Sequence, residues 1–192
     1  MDIIPAIGLS SASGLNAYIP MLILGLMDRY TSLVNLPAGW GWISNGWVLI
    51  GVTVLLVVEV FVDKIPVVDT INDTIQSLVR PASGGVVFSS ALTSDMTFDP
   101  NSAGFSWGPF IAGAVIALAF HLAKMFTRPV ANTSTAGLAA PVMSATEDVT
   151  AFFLSLLAVV LPVLALIGVL IIAGGLGFLL WRVYSRRQRY AR

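Results

Sequence analysis

Apolar residues along this chain gather in long unbroken runs separated by short polar stretches, with neither strict alternation nor a narrow amphipathic stripe. The first run covers about residues 5–27, opening on the small-residue stretch IGLSSASGLNAYIP and closing on MLILGLM. The second is WVLIGVTVLLVVEVFVD at 47–63, and the third is GPFIAGAVIALAFHLAKMF at 108–126. A bilayer-crossing helix needs roughly 17–25 such residues. The last run, Thr150 to Trp181, would extend about 48 Å as one helix, against a hydrocarbon core of roughly 30 Å. It is either one long tilted helix kinked near Pro162 or a tight hairpin of two short helices, and Gly168, Gly174, Gly175 and Gly177 do not choose between them. The pattern predicts an all-α polytopic membrane protein with about four long transmembrane helices.

Residues 67–92 and 130–146 fit neither class, being too polar at one end for ordinary spans and too apolar for free loops. They read as two re-entrant or broken half-helix segments, which lipid tolerates only where protein or a cavity surrounds them. Within the first span, Gly8 and Ala12 form one small-residue ridge and Ser10 and Gly14 another, allowing a second helix to come close. Asn16 shares the Gly8 face. It either makes one interhelical hydrogen bond or marks an unwound, substrate-lining segment. The loop DRYTSLVNLPAGWGWISNGW carries Trp40, Trp42 and Trp47, the density of an interfacial belt. IPVVDT at 65–70 aligns with RPVANT at 128–133, which pairs Pro66 with Pro129, Asp69 with Asn132 and Thr70 with Thr133. An inverted internal repeat, with units at about 47–92 and 108–181, is one reading of that match.

Composition strengthens the membrane reading. Residues 1–192 are 57% hydrophobic and 10% charged, where a soluble domain carries about 25% charged residues. With no polar linker of domain-separating length, the chain reads as a single transmembrane domain. Zero cysteines exclude disulfides and thiolate chemistry. Zero net charge without a basic groove argues against nucleic acid. The opening MDIIPAIG lacks a basic n-region, so a retained helix is expected rather than a cleaved signal. The tail at 182–192, rich in arginine, is expected in the cytoplasm by the positive-inside rule.

The few charges are concentrated. Glu59 and Asp63 are neighbours on one helix face, and Lys64 with Pro66 closes that helix. Asp69, Asn72, Asp73, Gln76 and Arg80 then recur at helical spacing as one polar stripe, which Pro81 and the Gly84–Gly85 pair are expected to interrupt. A surface-lying amphipathic helix usually carries cations on its polar face. This stripe carries acids, so burial against a complementary stripe is expected. His121, Lys124 and Arg128 share one face of the third span and supply it. SATEDVT adds Glu147 and Asp148, with Thr146 expected as an N-cap and the acids in the first turn. A charge at the bilayer centre costs at least about 2.5–3.5 kcal/mol, so these groups should pair or line a wet cavity. The excess of acids around a histidine favours a cation or proton path.

Enzyme signatures are missing: there is no phosphate-binding glycine loop, HExxH or GxSxG, and His121 has no second histidine for a metal. No cofactor is implied. The segments GLSSASGLNAYIP, VEVFVDKIPVVDTINDTIQSLVRPASGG, HLAKMFTRPVANTS and SATEDV together resemble the bacterial integral-membrane family called domain of unknown function 4126. The resemblance spans nearly the whole chain and departs from the family at Thr135, Ala136 and Gly137, where the family often runs Pro-Glu-Pro. It implies a multi-pass protein of a bacterial inner membrane and carries no activity. The leading expectation is therefore a small inner-membrane transporter or channel, a homodimer in a lipid bilayer being one arrangement, moving a small ion or solute. Its binding or transport residues would be Asn16, Glu59, Asp63, Lys64, Asp69, Asp73, Arg80, His121, Lys124, Arg128, Asn132, Glu147 and Asp148, with His121 as a titrating switch. The alternatives are a non-transporting scaffold or accessory subunit, and an intramembrane lipid-modifying enzyme with a sideways-opening cavity floored by His121 and an acid.

Overall fold

The structure is a computed structural model that describes residues 3–65, 68–92, 107–135 and 139–190, and all its regular structure there is helical. The elements are α1 (Ile3–Leu15), α2 (Tyr18–Tyr30), a 3-10 turn (Ala38–Ser44), α3 (Gly46–Val62), α4 (Val68–Ala91), α5 (Trp107–Ser134), α6 (Ala139–Val160) and α7 (Pro162–Tyr190). Trp107–Arg128, Ala139–Val160 and Pro162–Arg182 are long and apolar enough to cross a membrane, while Ile3–Leu15 and Gly46–Val62 are apolar but shorter. Burial is inverted relative to a soluble protein. On α4, Leu78 is 80% exposed and Ile71 61% exposed, whereas Arg80 is 0% and Asp73 5% exposed. Such a distribution is favourable only where the surroundings are hydrocarbon, so the chain is a helical membrane protein.

The centre of the bundle is α1, which packs against α4, α5, α6 and α7 and buries every residue from Gly8 to Leu15. Its small side chains permit this. A Cβ on Gly14 would lie 2.5 Å from the Ala117 carbonyl oxygen of α5, and one on Gly8 would lie 2.8 Å from Ala158 Cβ. The two expected small-residue ridges are thus used on different neighbours. Contrary to a single span over 5–27, the helix stops at Leu15, and Asn16 starts a second one by accepting from the Tyr18 and Ile19 backbone amides at 3.0 and 3.1 Å. The Asn16 side chain replaces the backbone partners that those amides lack in a first turn. Each half is 13 residues, about 20 Å of helix. In the following loop Trp40 is buried, and Trp42 and Trp47 face outward as an interfacial belt would.

The segment expected to break at Pro81 does not. α4 runs unbroken for 24 residues with Pro81 inside. Gly84 and Gly85 are contact points rather than breakers: a Cβ on Gly84 would meet Ala117 Cβ, and one on Gly85 would lie 2.7 Å from the Phe110 ring. Close packing along this seam offsets the hydrogen bond that proline removes. Arg80 lies beside His121 and Asp73 beside Arg128, while Gly84 lies beside Gly113, so α4 and α5 are antiparallel. The second expected half-helix, 130–146, is instead the end of α5 and the start of α6 among the described residues.

The long terminal run is a hairpin. Ala158 and Ala165, on either side of Leu161, both approach the same point at Gly8, and a Cβ on Gly168 would lie 3.5 Å from Leu154. Two residues seven apart on one helix would be about 10 Å apart along its axis, so the chain folds back at Leu161–Pro162. The two arms are longer than expected, 22 and 29 residues, because α6 begins at Ala139 and α7 continues to Tyr190. As for the repeat, Pro66 lies outside the described residues, and α5 continues through Pro129 to Ser134 whereas α3 ends at Val62. The two units do not share a helix boundary there.

Candidate functional site

The two polar stripes face each other. On α4, the stripe continues α3's carboxylates; on α5, one face presents His121, Lys124 and Arg128. Arg80 Nη2 lies 2.9 Å from Glu59 Oε1 and 3.8 Å from Asp63 Oδ2, and its Nη1 lies 3.9 Å from Asp73 Oδ1. Lys124 Nζ reaches Glu147 Oε2 at 2.8 Å, Asp63 Oδ2 at 3.4 Å and Asp73 Oδ1 at 3.9 Å. Arg128 pairs with Glu147 Oε2 at 2.6 Å, Asp63 Oδ2 at 3.0 Å and Asp73 Oδ2 at 3.6 Å. Among the described residues, four acids, Glu59, Asp63, Asp73 and Glu147, therefore meet three cations in one buried cluster.

The break after α1 belongs to this cluster. The last carbonyls of a helix have no partner within it. Arg80 Nη1 donates to the Gly14 carbonyl at 3.5 Å, Lys124 Nζ to the Leu15 carbonyl at 3.3 Å, and Ser83 Oγ to the Ala17 carbonyl at 2.5 Å. The negative end of the α1 dipole thus points at the cations. On the adjoining side, Asn16 Nδ2 donates to Asp148 Oδ1 at 2.9 Å.

The acids are held unequally. Asp63 accepts from Asn72 Nδ2 at 2.8 Å in addition to its cation contacts. Its Oδ2 lies within 3.8 Å of all three basic side chains of the cluster. Glu147 is gripped by Lys124 and Arg128 together. Asp73 is looser: its Oδ1 makes no hydrogen bond and its cations stand 3.6 to 3.9 Å away. Glu59 Oε2 and Gln76 Oε1 are likewise buried without a hydrogen bond.

His121 has a defined tautomer. Arg80 Nη1 lies 3.2 Å from His121 Nδ1, and a guanidinium only donates, so Nδ1 accepts. Nε2–H then donates to Ser77 Oγ at 2.9 Å, and Ser77 Oγ–H donates to the Asp73 carbonyl at 2.9 Å. The chain of donors is complete with a neutral imidazole. Protonating Nδ1 would remove the acceptor that Arg80 uses.

Of the expected residues, Glu59, Asp63, Asp73, Arg80, His121, Lys124, Arg128 and Glu147 come together, with Asn16 and Asp148 paired beside them. Lys64 does not join; its Nζ donates to the Val60 carbonyl of its own helix at 2.9 Å. The side chains of Asp69 and Asn132 lie outside the described residues. Thr146 is not a cap, because α6 starts at Ala139 and Thr146 Oγ1 donates to the Val142 carbonyl at 2.8 Å inside it. Glu147 therefore sits beyond the first turn, and its partners are side chains rather than the helix dipole. Ser77 and the Gly14 and Leu15 carbonyls were missed. Ser77 could have been found, being four residues after Asp73 and three before Arg80.

A cavity of about 260 Å³ opens between α5, α6 and α7 at the edge of the cluster, with Lys124 and Glu147 at one end and Val142, Ile172, Leu176 and Leu179 along its walls. His121 does not line it, so it is not the His121-floored cavity expected of a lipid-modifying enzyme. Among the described residues no group of three His, Cys, Asp or Glu side chains could hold a metal ion.

Comparison with curated proteins and with solved structures gave no match. A family model described as a domain of unknown function matches residues 3–184, nearly the whole of the apolar bundle and all of the charge cluster, and the chain belongs to that family, domain of unknown function 4126.

Proposed function

We propose that this protein is a small transporter or channel of the bacterial inner membrane whose buried charge cluster carries a proton or monovalent cation. The observation that carries the reading is the imbalance of the cluster: among the described residues four carboxylates face three basic side chains, and Asp73 is the acid least held. A buried net negative charge is unfavourable in hydrocarbon, so the cluster takes up one positive charge to reach neutrality. Asp73 is the acceptor for it. Asp63 and Glu147, the closer partners of Lys124 and Arg128, serve as their anchors. His121, held neutral between Arg80 and Ser77, positions the guanidinium rather than titrating. When Asp73 is neutralised, Arg128 and Lys124 lose one of their carboxylates, and the α4–α5 seam loosens where transport requires movement. The half-length α1 and α2 act as the two arms of a re-entrant pair, a device that brings helix ends to a site inside the membrane. The arginine-rich end of α7 lies on the cytoplasmic side.

A second reading has its own support. Lys124 and Arg128 each contact more than one carboxylate, as expected of a scaffold or accessory subunit whose charges only knit helices together. Flux in proteoliposomes separates the two. Under an imposed pH or cation gradient, the transporter reading predicts flux above empty liposomes that Asp73→Asn and Asp63→Asn each reduce strongly. Wild-type flux unchanged by both substitutions would exclude the site, and no flux under any gradient would favour the scaffold.

A further inference from the structure

The cavity at the edge of the cluster has a polar end with an unusual donor–acceptor balance. Lys124 Nζ donates to the Leu15 carbonyl and to Asp63 and is ion-paired with Glu147 at 2.8 Å, so its ammonium is committed to acceptors of the protein. Thr127 Oγ1 donates to the Lys124 carbonyl at 2.9 Å, and Thr150 Oγ1 to the Thr146 carbonyl at 2.6 Å. Thr146 Oγ1 is committed in the same way to Val142. These hydroxyls line the cavity with their protons spent on their own helices, so they offer it lone pairs only. Glu147 adds a carboxylate. The polar end is therefore rich in acceptors, and its one cation is turned to partners within the protein.

The remainder is apolar, and a second cavity adjoins it at Leu176. Leu176 lines both this cavity and a second one of about 210 Å³, bounded by Phe120, Ala123, Gly177 and Leu180 along the α5–α7 groove. At the rim, Val142 is 67% and Leu179 46% exposed, so the groove opens on the outer surface of the bundle. Its small lining residues, Ala119, Ala123, Ala173 and Gly177, leave the width for an extended chain.

The geometry points to a binding site for a cationic amphiphile, an alkylammonium-type molecule whose ammonium sits among Glu147, Thr146 and Thr150 and whose hydrocarbon chain lies along Leu176 in the α5–α7 groove. An ammonium supplies the donors that this end lacks, and it adds the positive charge by which the neighbouring cluster is short. An anionic headgroup of the same length would face carboxylate and lone pairs with no free donor. Occupancy of the groove is a matter of equilibrium binding, so the inference stands or falls separately from transport.

The test is equilibrium binding of radiolabelled dodecylammonium to the full chain in nanodiscs, with empty nanodiscs as the partition blank and unlabelled dodecylammonium or dodecanoate as competitor. The site predicts saturable binding above the blank, displaced by the amine and not by the carboxylate. Thr150→Val, which removes one acceptor, weakens binding about tenfold. Leu176→Trp, which fills the groove, weakens it at least as much while helical content and elution volume stay native. Should Leu176→Trp fail to fold, the competition and Thr150→Val arms still decide. Non-saturable partition, equal displacement by dodecanoate, or full binding in Thr150→Val and a folded Leu176→Trp would overturn the assignment.

Discussion

Lys124 places its ammonium 3.3 Å from the carbonyl oxygen of Leu15, the last residue of α1, so a cation on one long span closes the broken end of another. The same Nζ lies 2.8 Å from Glu147 on α6. One side chain thus ties α1, α5 and α6 together.

Replacing Lys124 by Met should therefore destabilise the protein by about 3–5 kcal/mol, because Glu147 and Asp63 lose a buried counter-charge. The double variant Lys124→Met with Glu147→Gln should recover a large part of that loss, since it removes cation and carboxylate together. Thermal unfolding of the purified protein in one detergent measures both, and equal losses in single and double variants would show that the pair is not coupled.

Asn16 performs two tasks with one side chain, starting α2 through Oδ1 and holding Asp148 through Nδ2. Asn16→Ala should cost about 2 kcal/mol, a cap plus a hydrogen bond to a carboxylate. Asp148→Asn keeps a partner for Nδ2 and should be milder. An Asn16→Ala variant as stable as wild type would mean that the break is fixed by packing alone.

The α4–α5 seam depends on absent side chains. Gly84→Ala would drive a methyl into Ala117 Cβ and to within 2.8 Å of the Gly113 carbonyl oxygen, backbone that cannot swing away. A loss of about 1–3 kcal/mol is expected from such overpacking. Gly174→Ala on α7, where a Cβ meets nothing within 4 Å, should be neutral or stabilising by up to about 1 kcal/mol. The contrast, read as shifts in unfolding temperature, isolates packing from helix propensity.

What could be read from the residues alone was the chemistry of each helix face. The spacing of Asp73, Gln76 and Arg80, and of His121, Lys124 and Arg128, defines two stripes, and hydrocarbon forces opposite charges to meet. The helix boundaries were less legible, because continuous apolar composition hides them. Between Ile7 and Pro20 only Gly8, Gly14 and Asn16 weigh against a helix, each isolated in an otherwise continuous run, and the break comes at Asn16, where partners from α4, α5 and α6 receive the freed groups. Pro81 misled in the other direction: a proline is tolerated where glycines on the same helix let a neighbour pack closely. Glu147 was read as a first-turn acid because the start of α6 was placed too late. Pro141, three residues into α6, marks the earlier start, since proline is tolerated in a first turn.

Asp63 is where the three basic side chains converge: its Oδ2 lies 3.0 Å from Arg128, 3.4 Å from Lys124 and 3.8 Å from Arg80. Asp63→Asn removes the charge they share and should destabilise the protein by about 3–5 kcal/mol. Thermal unfolding of wild type and variant in one detergent measures this, and equal stability would remove Asp63 from the account.

The central claim is that the cluster is a site reached by water and not only a seam between helices. This cysteine-free chain permits a direct measurement: single cysteines at Ser77, beside His121 in the cluster, and at Ala12, buried in the α1 seam, labelled in membranes by a water-soluble thiol reagent. The account predicts that Ser77→Cys reacts from one or both sides at a rate well above Ala12→Cys, and that Asp73→Asn changes that rate. Equal protection of the two positions, with no response to Asp73→Asn, would contradict it.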